Sequence, residues 1–202
     1  MVFLHGMGER GTDLESIKCT GIPKMIAQGT DFPFIAVSPQ CPEQSIWLIE
    51  IDALHALVEK IIGEHQVDTS RIYLTGLSMG GFGTWHLAAE YPSMFAAIVP
   101  ICGGTRPNIG FPERIQVLKN VPVWAFHGAQ DDNVPLQMSQ ELVDVLEDQQ
   151  GNAKFTVYPD PVYPDKHDSW TQTYENPELY EWLLQQKNDY FQISSTLVQG
   201  YR

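Results

Sequence analysis

The pentapeptide Gly76-Leu77-Ser78-Met79-Gly80 constrains this chain most, because it stands between an apolar, β-prone run, Arg71-Ile72-Tyr73-Leu74-Thr75, and a helix-prone run from Phe82 to Glu90. A serine at that junction is forced onto a sharp turn in sparsely allowed backbone space, and glycines two residues to either side leave room for neighbouring backbone to pack close. The hydroxyl then projects beyond the sheet edge at a helix N-terminus, where free backbone N–H groups can stabilise an oxyanion. Such a junction implies a strand that belongs to a larger sheet.

The rest of the chain supplies that sheet. Short apolar runs alternate with amphipathic stretches, the pattern of a mostly parallel sheet flanked by helices. Strands are predicted at Val2 to Leu4, Phe34 to Val37, Arg71 to Thr75, Ala97 to Ile101, Val123 to Phe126 and Lys154 to Tyr158. Helices are predicted at Ile22 to Gln28, Ile51 to Glu64, Gly81 to Glu90, Leu136 to Gln149 and Glu178 to Gln186. In the second helix Leu54, Leu57, Val58, Ile61 and Ile62 recur at helical spacing, leaving Glu59, Lys60 and Glu64 to solvent. Gly103 to Pro112 reads as a surface loop followed by a short connector.

A chain of 202 residues is long enough for one sizeable core and short for two ordinary domains. Residues 1–187 therefore read as one α/β domain and 188–202 as a polar tail, an extra strand or disordered, in which Phe191, Ile193 and Leu197 share one alternating phase. A hydrophobic content of 43% suits a packed core, while no apolar run approaches the roughly 20 residues a membrane span needs. The net charge of -13 repels phosphate backbones and anionic lipid, which argues against nucleic acid or a membrane as the main partner. Cys19, Cys41 and Cys102 fit no zinc or C-x-x-C spacing and read as free thiols. Met1 runs straight into strand-like Val2-Phe3-Leu4 with no secretory core in view. Cytoplasmic placement and secretion through an upstream leader are both compatible with that.

In an open parallel sheet ligands meet the carboxyl ends of the strands. Four of those junctions carry chemically useful residues: His5-Gly6-Met7-Gly8, the serine turn, His127 to Asp132, and Lys166-His167-Asp168-Ser169-Trp170. A serine hydroxyl needs a base to take its proton and a carboxylate to hold that base in the right tautomer. The chain offers Ser78, then Asp131, then His167, the order found in the α/β-hydrolase arrangement. His55, His65 and His86 fall on or near helices and read as surface or packing residues, whereas His5 and His127 read as loop braces. Asp132 would point away where Asp131 points inward, and Asp160 and Asp165 sit in a proline-rich loop. The oxyanion donors would be the backbone N–H groups of Met7 and Met79. Trp47, Phe82 and Trp170 are candidate apolar walls of a substrate site, or core.

Gly6-Met7-Gly8-Glu9-Arg10-Gly11 also satisfies the dinucleotide-binding pattern G-x-G-x-x-G. That reading needs a helix starting inside the motif and a carboxylate closing the next strand. The following segment is interrupted by Gly21 and Pro23, and the next strand ends in Ser38-Pro39-Gln40. No H-E-x-x-H or similar ligand cluster suggests a catalytic metal, and no cofactor is expected.

Several stretches together resemble the esterase branch of the α/β-hydrolase superfamily often labelled "predicted peptidase", near the phospholipase/carboxylesterase and feruloyl-esterase-like enzymes. They are Phe3 to Gly11, Ser38 to Pro42, Leu74 to Trp85, Pro100 to Gly104, His127-Gly128 through Val134-Pro135, and His167 to Trp170. The resemblance implies an α/β-hydrolase fold and a serine carboxylesterase with Ser78 as nucleophile, Asp131 as acid and His167 as base, acting on a small-molecule ester. Short-chain or aryl esters are expected, with thioesterase or dienelactone-hydrolase-like activity and a non-catalytic binding protein as alternatives. Relatives of this kind usually place a β-hairpin before the strand that begins here at Val2, and this chain lacks it. Phe34 to Val37 would then be an exposed edge, open to pairing with the tail around Phe191 to Leu197 or with a second copy. No large lid is inserted between Ile101 and Val123, which predicts a shallow, open site.

Overall fold

The computed structural model describes residues 1–105 and 110–188. Five strands, β1 (Val2–Leu4), β2 (Tyr73–Leu77), β3 (Ala97–Ile101), β4 (Val123–Gly128) and β5 (Ala153–Tyr158), form one sheet in sequence order, every neighbouring pair parallel. The connections carry α1 (Gly21–Ala27) and α2 (Ile51–Glu64) between β1 and β2, α3 (Met79–Glu90) after β2, and α4 (Gln137–Asp148) after β4. The short α5 (Trp170–Glu175) and α6 (Pro177–Gln185) follow the sheet.

Because side chains alternate across a strand, this sheet builds two cores. Val2, Leu4, Leu74, Ile98, Val123 and Ala125 face Leu54 and Val58 of α2, Trp85 and Leu87 of α3, and Leu142 and Leu146 of α4. Phe3, Tyr73, Val99, Trp124 and Phe126 face Ile22 of α1, Tyr174 of α5, and Leu179 and Leu183 of α6. Each fully buried leucine, such as Leu4 or Leu74, contributes about 2 kcal/mol of hydrophobic stabilisation. α3 is buried on almost every side, so it runs through the protein and fixes where its own N-terminus sits.

Two expected elements differ. Phe34 to Val37 is not a strand: it touches β1 through a single parallel bridge, Val2 to Val37, closed by Phe3 N–H to Val37 O and Val37 N–H to Met1 O, each 2.9 Å. Pro33 and Pro39 bracket the segment and remove two backbone donors, which limits how far the ladder can extend. The segment read as loop and connector before Val121 instead folds after Gly110 into a 3₁₀ helix, Glu113–Leu118, that buries Ile115 and Leu118, with Phe111 buried just before it. Asn188, the first residue of the expected tail, donates its backbone N–H to Ser70 O at 2.8 Å, and the tail segment around Phe191 to Leu197 lies outside the described residues.

Candidate active site

β2 feeds directly into α3 through Ser78, whose φ of 52° and ψ of -119° place it in the strained conformation expected of the turn. Gly76 and Gly80 make that turn sterically feasible. A Cβ on Gly80 would lie 1.9 Å from Leu4 O, and one on Gly76 would lie 2.4 Å from Gly80 O. No side chain larger than hydrogen fits either position while α3 crosses β1 so closely.

Ser78 Oγ lies 2.8 Å from His167 Nε2, and His167 Nδ1 lies 2.6 Å from Asp131 Oδ2. Three segments far apart in sequence thus meet at one rim. Asp131 follows β4, and its Oδ1 accepts the backbone N–H groups of Asn133 and Val134, both at 2.9 Å, which aims Oδ2 at the imidazole. Asp132 points outward and faces Lys166 at 3.7 Å. His167 sits in the loop before α5; its backbone N–H donates to Asp165 Oδ1 at 2.9 Å, and its ring packs edge-on against Trp170 at 5.3 Å between centroids.

Burial opposes ionisation of Asp131, yet hydrogen bonds from His127, His167 and the Val134 amide outweigh it and hold the carboxyl well below the usual carboxylate range. At His167 burial again opposes the charged form. The Asp131 carboxylate and the Cys102 sulfur beside the ring outweigh it there, raising the imidazole above its ordinary value.

The other two strand-end histidines brace loops. His127 is fully buried; Nε2 lies 2.9 Å from Val134 O and 3.3 Å from Asp131 Oδ2, while Nδ1 lies 2.8 Å from Ser139 Oγ. It ties the loop carrying Asp131 to α4. His5 accepts the Cys41 N–H on Nε2 at 2.9 Å, which leaves Nδ1–H to donate to Gly6 O at 2.6 Å. That tautomer needs no charge, in keeping with the lowering effect of burial on this imidazole.

The rim opens into a cavity of about 640 Å³ lined in part by Met7, Ile46, Leu48, Phe82, Met138 and Trp170, with Ser78 and His167 at its floor. Its size lies in the middle of the range of small-molecule sites, and it is partly open to solvent, as expected of an open site. Ile46 and Leu48 from the segment before α2, and Val134 and Met138 from the segment around the start of α4, contribute to its lining. Met7 and Met79 each open a helical turn beside Ser78, where the backbone N–H has no partner within the turn. The G-x-G-x-x-G stretch forms only a 3₁₀ turn, Met7–Glu9, not the long helix a dinucleotide site needs.

Phe82 and Trp170 line the cavity, whereas Trp47 does not. Only 2% exposed, Trp47 donates Nε1–H to His5 O at 2.9 Å and packs edge-on against the His5 ring, bracing the loop of Met7 from behind. Its indole is large and apolar but carries one donor that must be satisfied in the interior, and the nearby backbone carbonyl satisfies it. Trp47→Phe is therefore expected to lower unfolding free energy by about 1–3 kcal/mol, the cost of leaving a buried acceptor unpaired, with little change in KM. Urea denaturation beside steady-state kinetics checks this; a raised KM at unchanged stability would return Trp47 to the substrate wall.

Parallel strands in sequence order, helices on both faces and a strained serine at the turn from β2 into α3 define an α/β hydrolase. The chain belongs to the phospholipase/carboxylesterase family, whose sequence profile matches residues 18–176. A thermostable esterase of known structure aligns with a TM-score of 0.80 and 35% identity, over 92% of this chain and 54% of that one. The bifunctional acetylxylan esterase/xylanase XynS20E of Neocallimastix patriciarum is 30% identical over 131 residues, 62% of this chain and 17% of that protein. Feruloyl esterase B of Neurospora crassa is 32% identical over 110 residues, 48% of this chain and 36% of its own length. This chain thus spans only part of each of these relatives.

Proposed function

We propose that the protein is a serine carboxylesterase that hydrolyses short-chain or aryl carboxylic esters through a covalent acyl-enzyme. The observation that carries this is the unbroken series from Ser78 Oγ through the His167 ring to Asp131 Oδ2, with spacings of 2.8 and 2.6 Å, at the floor of an apolar cavity. The names of the relatives, an acetylxylan esterase and a feruloyl esterase, fit a small or an aromatic acyl group.

His167 Nε2 takes the Ser78 proton as Oγ attacks the ester carbonyl, and the Asp131 carboxylate stabilises the imidazolium that forms. The backbone N–H groups of Met7 and Met79 hold the carbonyl oxygen as it becomes an oxyanion, each worth about 3 kcal/mol in the transition state. The imidazolium then gives its proton to the leaving alcohol, and the acyl group stays on Ser78. A water molecule, deprotonated by the same imidazole, attacks the acyl-enzyme and regenerates the serine. Phe82, Trp170, Ile46 and Leu48 provide apolar contact for an aryl or alkyl group.

Initial rates on p-nitrophenyl acetate, butyrate and long-chain esters, a feruloyl ester, acyl thioesters and a lactone test this reading. Carboxylic esters with acetyl or aryl groups should give the highest kcat/KM. Higher values on thioesters or lactones would move the assignment to the alternative hydrolase classes, and no turnover of any substrate would favour a binding protein.

A further inference from the structure

Cys102 takes no part in the mechanism above, yet it stands beside it. It is the first residue beyond β3, fully buried, with a φ of 39° that lies in the left-handed region. Cys102, Asp131 and His167 follow three different strands, and one ligand atom from each lies within 4.8 Å of the others. We propose that these three side chains form an inhibitory binding site for a thiophilic divalent cation, Zn²⁺ or Cd²⁺.

The donor set selects that class of ion. A thiolate, a carboxylate and a neutral imidazole are the usual ligands of zinc, whereas Mg²⁺ and Ca²⁺ take all-oxygen sites. The two anionic ligands cancel the charge of the ion, so the metal can be buried without a net charge in a low-dielectric interior. Tetrahedral zinc holds its ligand atoms a little over 3 Å apart, so the Cys102 sulfur has to draw in by on the order of 1 Å while the 2.6 Å spacing between His167 Nδ1 and Asp131 Oδ2 opens to admit the ion. Of the three ligands His167 alone lines the cavity, so the ion has to enter past its ring.

Binding switches off the proposed base. The Cys102 thiol releases its proton to solvent as the sulfur–metal bond forms. Asp131 Oδ2 faces Nδ1 of His167, so an ion shared by those two residues occupies Nδ1. The single proton of the neutral ring then resides on Nε2, pointed at Ser78 Oγ, where an N–H donates and cannot accept the serine proton. The ion is an inhibitor in this scheme, and no step of ester hydrolysis passes through it.

The inhibition arm rests on the esterase reading; the binding arm does not. Co²⁺ titrated into Ser78→Ala protein, which needs no activity, should produce a near-ultraviolet sulfur-to-cobalt charge-transfer band. That band should vanish in Ser78→Ala combined with Cys102→Ser, which retains Cys19 and Cys41. In the unaltered chain, X-ray absorption at the zinc edge should show a sulfur neighbour at about 2.3 Å besides nitrogen and oxygen at about 2.0–2.2 Å, a readout that requires no variant to fold. Micromolar Zn²⁺ should inhibit ester hydrolysis reversibly on chelation, Mg²⁺ should not, and Cys102→Ser should weaken the inhibition by at least about tenfold. Absence of the band, its survival in the Cys102→Ser protein, or a zinc shell of nitrogen and oxygen alone would overturn the site. Zinc bound through sulfur without loss of esterase activity would overturn the inhibitory role.

Discussion

Ser78→Ala is expected to lower kcat by on the order of 10⁶ while leaving the thermal midpoint nearly unchanged, because removing a serine nucleophile of this type abolishes covalent catalysis and leaves only binding and oxyanion stabilisation. The fold should tolerate the change. Alanine keeps the Cβ that the strained turn already accommodates at a φ of 52°, and the hydroxyl's partner is the ring of His167 beside the cavity. Initial rates on an activated aryl ester, measured beside circular dichroism melts, separate loss of chemistry from loss of structure. Activity within a few-fold of the unaltered protein would remove Ser78 from the mechanism.

Asp131→Asn should lower kcat by about 10⁴ and also change the pH dependence. The side-chain amide can donate to Nδ1 and so favour the tautomer in which Nε2 carries the proton and can no longer accept one from Ser78. The sign of the pH effect follows from the raised pKa of His167, to which Asp131 contributes. The base works only when neutral, so activity is lost as pH falls through its pKa, and kcat/KM of the unaltered enzyme should begin to fall at a pH above the ordinary histidine value of about 6.5. Removing the carboxylate takes away part of what raises that pKa. The acid limb of the residual activity should therefore move to lower pH, and a limb that stays in place would mean that Asp131 does not act on His167.

Local signals in the sequence carried the architecture because it is locally encoded. The helix predicted over Ile51 to Glu64 is found at those residues, and the strand-to-helix junction at Ser78 lies where the flanking glycines put it. What was not legible depends on contacts far along the chain. Phe34 to Val37 has strand composition, but its neighbouring prolines and a single partner reduce it to one bridge. Trp47 reads equally well as wall or core until the loop of His5 folds against it and supplies a carbonyl acceptor. The helix α5 escaped because its threonines and tyrosine show no helical spacing over so few residues; it forms where Tyr174 packs against Phe3. Ile46, Leu48 and Met138 carry no motif, and they become cavity walls only through the positions of the segments around them. Cys102 offered only a thiol without a partner at recognisable spacing, because its neighbours Asp131 and His167 are supplied by other strand ends.

The most direct test of an activated serine is covalent. The protein is incubated with a fluorophosphonate and weighed intact, and the modified peptide is mapped by fragmentation. A single adduct on Ser78, absent in Ser78→Ala and formed far more slowly in His167→Ala, is expected. An unmodified mass, or an adduct that forms as fast without His167, would contradict the joint action of Ser78, His167 and Asp131.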